Sequence, residues 1–200
     1  MSSAATQPGP LTGVRVLDLG QVLASPFAGY LLSNLGAEVI KIEPPDGEWL
    51  RQATGGGLGF SAQNGGKKMV ALDLHRPDGA QVLLRLAAGA DVFLEGFAPG
   101  TADAMGLGFD AVRAQRPDVV YASLSAFGAE GPYGGRPAFD HVVQAASGIM
   151  ESTGFPDQPP TKVGSPYVDY SSGLLLAFAV LAGLRQRDLT DDAVQVDITM

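Results

Sequence analysis

Few side chains in this 200-residue chain are equipped for covalent or metal chemistry, and their scarcity narrows the choice. There is no cysteine, which removes thiol nucleophiles, thiolate metal sites and disulfide scaffolds. The two histidines, His75 and His141, are far apart and in no ligand-like spacing, so a zinc or haem centre is not expected. Neither a phosphate-binding G-x-x-x-x-G-K loop nor a G-x-S-x-G elbow occurs, and no histidine adjoins a candidate serine. What remains is a carboxylate. Asp169 lies in VGSPYVDYSSG, directly ahead of the apolar run LLLAFAVLAGL. An aspartate at a helix start is ordinarily a cap, yet Ser171 and Ser172 offer caps as well. Glycine, proline and aromatic flanks favour partial desolvation, and a carboxylate stripped of water is the stronger nucleophile toward an activated acyl group. Amides at the same helix end would stabilise the oxyanion that forms.

The elements that must position this acid follow from periodicity. Apolar runs rich in β-branched residues recur at 14–19, 38–42, 69–74, 91–97, 119–127 and 194–199, and near-continuous apolar runs suit strands covered on both faces. Helical patterns lie between them. Pro26 opens 27–35 with Gly36 as its stop, Pro77 and Asp78 open a helix through Leu86 closed near Gly89, and Asp110 begins 111–115, ended by Pro117. Strand–helix–strand alternation at this spacing predicts an α/β fold with a mainly parallel sheet. Three glycine- and proline-rich zones, 44–66, 128–137 and 154–166, break the rhythm and read as long loops, which gather where such sheets bind ligands. Gly57, Gly59 and Ala62 formally match a dinucleotide fingerprint, but no strand precedes them; a flexible loop is expected there, available as a lid.

Composition sets the outer bounds. Hydrophobic residues make up 46%, enough for a core and too many for a disordered chain. The net charge of −8 supplies no basic face for nucleic acid and no attraction to an anionic membrane. The N-terminus has no basic and apolar signal pattern, and the run at 173–184 is too short to span a bilayer, so a cytoplasmic location without a membrane partner is expected. Residues 1–10 read as a flexible tail and 11–200 as the folded domain. VQVDITM reads as a strand with no polar terminus after it, in a chain stopping short of its natural end; the other reading is a strand that closes the domain.

Eight blocks in order carry a more specific signal: LTGVRVLDLGQVLASP, LSNLGAEVIKIEPP, NGGKKMVALDLHRPDG, ADVFLEGFAPG, MGLGFDAVRAQRPDVVYASLSAFGAEGPY, FDHVVQAASGIM, TGFPDQPPTKVGSPYVDYSSG and VQVDITM. In these the sequence resembles the family III CoA-transferases (CaiB/BaiF family), which include formyl-CoA transferase, carnitine CoA-transferase and α-methylacyl-CoA racemase. The resemblance implies a Rossmann-like large domain, a smaller domain absent here, and two chains interlinked as a homodimer. Members are about twice this length, so the chain corresponds to an N-terminal half. Asp169 would attack an acyl-CoA thioester to give a mixed anhydride and CoA thiolate. The thiolate would return to give an aspartyl-CoA thioester, from which a carboxylic acid acceptor takes CoA. No metal or redox cofactor is implied. The positions implied to contact coenzyme A are Leu23 and Ala24, then Leu72, Asp73, Leu74 and His75, then Gly96, Phe97 and Ala98, with Arg136. Phe97 would stack on the ligand or serve as a core aromatic.

The sequence departs from the family pattern at Pro44, Gly65, Ala104 and His75, where basic residues are common, which leaves Lys67, Lys68 and Arg136 as phosphate partners. Racemase members carry a histidine immediately before the aspartate of a G-H-D block. Here Phe139 precedes Asp140, and His141 falls one place late, about 100° around a helix. CoA transfer is therefore expected. The alternatives are an α-methylacyl-CoA racemase, with His141 otherwise a polar residue on a helix surface, or a non-catalytic truncated domain that binds acyl-CoA or dimerises. The 200-residue form by itself is expected to turn over weakly or not at all.

Overall fold

A computed structural model of the chain describes residues 8–200. Of the expected tail, residues 1–7 lie outside the described residues; Gly9 O accepts the amide of Thr12 at 3.0 Å. Six strands, β1 (Arg15–Asp18), β2 (Glu38–Glu43), β3 (Lys68–Ala71), β4 (Val92–Glu95), β5 (Val120–Ser125) and β6 (Val194–Thr199), form one sheet in the order β3-β2-β1-β4-β5-β6. Every pair is parallel, with Val16 opposite Val39 on one side and Val92 on the other. This is the doubly wound order, and its direction reverses between β1 and β4, where the carboxyl ends of the strands open a crevice.

The alternation of side chains along each strand builds two cores. Val16, Val39, Val92, Leu94 and Val120 face α1 (Ala24–Asn34) and α8 (Tyr167–Thr190), meeting Ala28, Leu32, Leu176 and Val180. Leu17, Ile42, Phe93 and Tyr121 face the other way, onto Leu83 and Ala87 of α4 (Pro77–Ala87) and Val112 of α6 (Phe109–Gln115). Each fully buried Leu or Val stabilises the fold by roughly 1.5–3 kcal/mol. The predicted helices are in place, with Pro77 in the first turn of α4 and Asp78 and Arg85 at the ends that suit their charges.

The zone at 44–66 differs from the loop expected. It holds two short helices, α2 (Trp49–Thr54) and α3 (Leu58–Asn64). Gly55 ends α2 in the left-handed conformation and Gly57 caps α3, so the glycines mark helix ends rather than slack chain. Two more short helices, α5 (Thr101–Ala104) and α7 (Asp140–Ala146), escaped the periodicity because one or two turns are too few to show a period. The apolar run at 173–184 proves to be the middle of a 24-residue helix, α8, which is long and apolar enough by length and composition to cross a membrane. Half of that apolar stretch is buried in the fold.

Two glycines let α8 lie close to its neighbours. A Cβ on Gly183 would come within 2.9 Å of Val120 Cγ1, and one on Gly173 would press into the carbonyl oxygen of Ala24. The amino end of α8 is thereby held against the amino end of α1, one helical turn from Asp169.

Candidate active site

Asp169 occupies the first turn of α8 and lines a cavity of about 370 Å³ at the sheet's switch point. The opposite wall is the turn after β1, with Val22, Leu23, Ala24 and Ser25, and the loop after β4, with Gly96, Phe97 and Ala98. Arg136, Phe139 and Trp49 complete the rim. The carboxylate of Asp169 accepts no hydrogen bond among the described residues, so it is not the cap of its own helix. Burial, with the charge of Asp140 second, pushes its pKa up to about 6. It is half-buried, ionised at neutral pH and more basic than a solvated aspartate, which suits a nucleophile.

The cap of α8 comes from elsewhere. Asp140, buried at the start of α7, accepts the amides of Val168 at 2.7 Å and Asp169 at 3.0 Å through one oxygen, while its other oxygen accepts the Gln144 side-chain amide. Gln144 in turn accepts the amide of Val163 at 2.9 Å. Sequence reasoning gave Asp140 only as the aspartate of a family block and no role to Gln144; the one signal of their pairing was an acid and an amide four residues apart on α7. Ser171 does not cap either, since its hydroxyl donates back to Tyr167 O at 2.7 Å, and Ser172 is buried within the helix.

This arrangement overturns one expectation. The amides at the start of α8 are spent on Asp140 and on Ser165 O, so they are not available to an oxyanion. The free amides lie across the cavity. α1 opens at Ala24 with no side-chain cap, and the amides of Leu23, Ala24 and Ser25 donate to nothing among the described residues. The residues that bear these donors, at the positive end of an 11-residue helix, line the same cavity as Asp169.

Of the positions expected to touch coenzyme A, Leu23, Ala24, Gly96, Phe97, Ala98 and Arg136 gather with Asp169 around the cavity. Phe97 is half-buried and also packs on the core beneath the sheet, so both of its readings describe it in part. Leu72 and Asp73 line a separate shallow depression beyond β3; Leu74 and His75 line neither, and the amide of His75 donates to Asp73 at 3.1 Å. His141 is exposed outside the cavity, its ring 6.5 Å from that of Phe139. Two expected phosphate partners are engaged elsewhere. Lys67 is buried, and its ammonium gives hydrogen bonds to Asp18, Pro26 O and Asn64, all within 2.8 Å. Lys68 pairs with Glu38 at the sheet edge. Arg136 remains at the rim, 4.9 Å above the Tyr133 ring.

A larger cavity, about 550 Å³, adjoins the first and shares the Phe97–Pro99 wall. It holds Glu95, whose pKa is pushed up to about 7, mainly by burial and also by the charges of Asp197 and Asp103. Its lining holds carboxylates and no cation, and it includes neither Asp169 nor the start of α1, so the smaller cavity is the better candidate. Glu95 still matters to both, because it accepts the amide of Phe97 at 2.6 Å and fixes the shared wall. Among the described residues no group of three His, Cys, Asp or Glu is placed to hold a metal.

The sequence matches CoA-transferase family III over residues 11–200. The chain belongs to this family. It is 46% identical over 196 residues to the "Probable fatty acyl-CoA transferase Rv3272" of Mycobacterium tuberculosis, covering 94% of this chain and 50% of that one. It is 39% identical over 202 residues to the "Succinyl-CoA–D-citramalate CoA-transferase" of Chloroflexus aurantiacus, covering 98% and 50%. A solved CAIB/BAIF family protein from Brucella suis superposes with a TM-score of 0.91 at 35% identity, covering 96% of this chain and 53% of that one. This family III chain thus spans about half the length of these relatives, and its Rossmann-like sheet is the family's own.

Proposed function

We propose that this family III chain carries the nucleophile of a CoA-transferase that moves CoA between carboxylic acids, with Asp169 as the covalent residue. One observation carries the reading: a partly desolvated carboxylate with no hydrogen-bond partner among the described residues, across a cavity from the free amides of α1.

The chemistry balances without an outside reagent. Asp169 Oδ attacks the thioester carbon of the donor, and the oxyanion is held by the amides of Leu23–Ser25. The C–S bond breaks, leaving a mixed anhydride and CoA thiolate. The thiolate attacks the aspartyl carbonyl and expels the donor acid, giving aspartyl-CoA. The acceptor carboxylate attacks that carbonyl and releases thiolate, which then takes the new acyl group and restores the Asp169 carboxylate. Each covalent step divides one barrier into smaller ones.

The pantetheine of CoA would run over Leu23, Ala24 and Gly96–Ala98 and its nucleotide toward Leu72–His75, with Arg136 pairing a phosphate or the acid substrate. Proton abstraction at the α-carbon finds less support, because Phe139 occupies the rim where a base would stand. A cytoplasmic, interlinked homodimer is part of the proposal; exposed Leu174, Leu175 and Phe178 on α8 supply apolar surface for a second copy or for the remainder of a longer chain.

The test incubates the full-length protein with succinyl-CoA or acetyl-CoA, the donors named for relatives, and isotope-labelled free acids. Label should enter the thioester pool, and Asp169→Asn should slow this by at least about 10⁴-fold. Deuterium entering the α-carbon without acyl exchange would overturn the reading, as would transfer that survives Asp169→Asn.

A further inference from the structure

The turn that presents the free amides of α1 is itself held under constraint. Val22 sits at φ 66°, in the left-handed region that a β-branched residue avoids. Its amide donates to Glu48 Oε2 at 2.9 Å. Two residues earlier, Gly20 is gripped from both sides: its amide donates to Asp18 at 2.8 Å and its carbonyl accepts the Lys41 ammonium at 2.6 Å. Lys41 and Glu48 are buried side by side, 3.8 Å apart, with no side-chain exposure. Glu48 Oε1 is buried with no partner among the described residues.

A buried ion pair with an unpartnered oxygen is a poor means of gaining stability. Its position explains it better. Glu48 is the residue from which α2 springs, its own amide bonded to Glu43 at 3.2 Å, and Glu43 is forked by Arg51 of the same helix. The next residue, Trp49, reaches the cavity. One carboxylate therefore ties the strained turn on one wall of the cavity to the helix that supplies its rim.

We propose that Glu48 is a positioning residue for acyl transfer: by holding the Val22 amide it keeps the turn in the left-handed form that aims the amides of Leu23–Ser25 at the space beside Asp169. This rests on the reading of Asp169 as nucleophile. Glu48 touches no reacting atom, so its loss should slow formation of the acyl-enzyme and leave binding of the CoA ester nearly intact.

The experiment measures single-turnover acylation of the full-length protein by succinyl-CoA and acetyl-CoA, trapping Asp169 as its hydroxamate with hydroxylamine. Glu48→Ala should lower the acylation rate at least tenfold and change the dissociation constant for the CoA ester less than threefold. Adding Val22→Gly to Glu48→Ala should recover most of the rate, because glycine adopts the left-handed form without help. Should Glu48→Ala not fold, Glu48→Asp serves the same comparison, since it keeps a charge near Lys41 but is too short for Val22. Wild-type rates in the single variant, or a slow rate that glycine does not rescue, would overturn the proposal. If wild-type protein itself yields no hydroxamate, the nucleophile reading fails instead. Hydrogen exchange at the Val22 amide, expected at least tenfold faster in Glu48→Ala, then still tests the hold of Glu48 on the turn, and unchanged exchange would refute it.

Discussion

Asp169 and Asp140 divide between them what a single helix-start aspartate ordinarily does. Asp140 takes the capping bonds, and the Asp169 carboxylate is left partly desolvated, with no hydrogen bond among the described residues. The charge of Asp140 also lifts the Asp169 pKa, second to burial. As the proposed nucleophile it must be ionised, so acylation should fall tenfold per pH unit below about 6 and level off above it. Asp140→Asn keeps an oxygen for the two amides and removes the charge. Its acid limb should therefore move to lower pH, while its plateau rate drops as the nucleophile becomes less basic. Asp140→Ala should instead cost about 1–2 kcal/mol of stability, because it strips a helix cap. A pH–rate profile with thermal melts checks both, and an unmoved limb in Asp140→Asn would remove Asp140 from the electrostatics of the site. Asp169 was legible in the sequence from its odd flanks; Asp140 was not, because its partners lie 28 and 29 residues away and only the folded chain brings them together.

At the scale of elements, the site is the meeting of two helix starts, α1 and α8, over the reversal point of the sheet. Gly173 sets their approach, reinforced by Phe27 edge-on to Tyr170 at 5.0 Å and by Gln63 of α3 on the Tyr170 hydroxyl at 2.8 Å. A methyl group at Gly173 meets backbone, which cannot step aside as a side chain can. Gly173→Ala should therefore destabilise by about 1–3 kcal/mol and slow acylation by separating Asp169 from the α1 amides. Gly164→Ala, in open space on the loop before α8, is the control expected to melt like the parent. The strands and the long helices were readable because their apolar periods run for several repeats. The helix pair α2–α3 was not, since each has at most two turns and glycines between them read as loop. Lys67 was misread for a related reason: from sequence it is one of two adjacent cations, and only the fold shows it buried on Asp18.

For the whole molecule, the strand order places every candidate contact along one edge. β1 and β4 flank the reversal and carry the turns that line the Asp169 cavity, while β3 lies two strands away with Leu72 and Asp73 beyond its end. Strands are spaced about 4.8 Å apart, so β1 and β3 stand roughly 10 Å apart, and on the proposed reading an extended ligand runs from the cavity toward that depression. Addition of CoA should slow hydrogen exchange in residues 20–25 and 96–100 and also in 72–76. Protection confined to the cavity would show that the segment at 72–76 is not a contact. The net charge of −8 gives no long-range attraction to such a polyanion, so binding should depend on local contacts and vary little with salt.

The proposed covalent role of Asp169 has one direct signature. When an acceptor acid labelled with ¹⁸O in both carboxylate oxygens takes CoA from the aspartyl-CoA thioester, one labelled oxygen bridges the anhydride and stays behind on Asp169. After a single turnover in labelled acid, peptide mass spectrometry should find the peptide holding Asp169 about 2 Da heavier, with the label on that residue. Complete CoA transfer with Asp169 carrying no ¹⁸O would contradict the account.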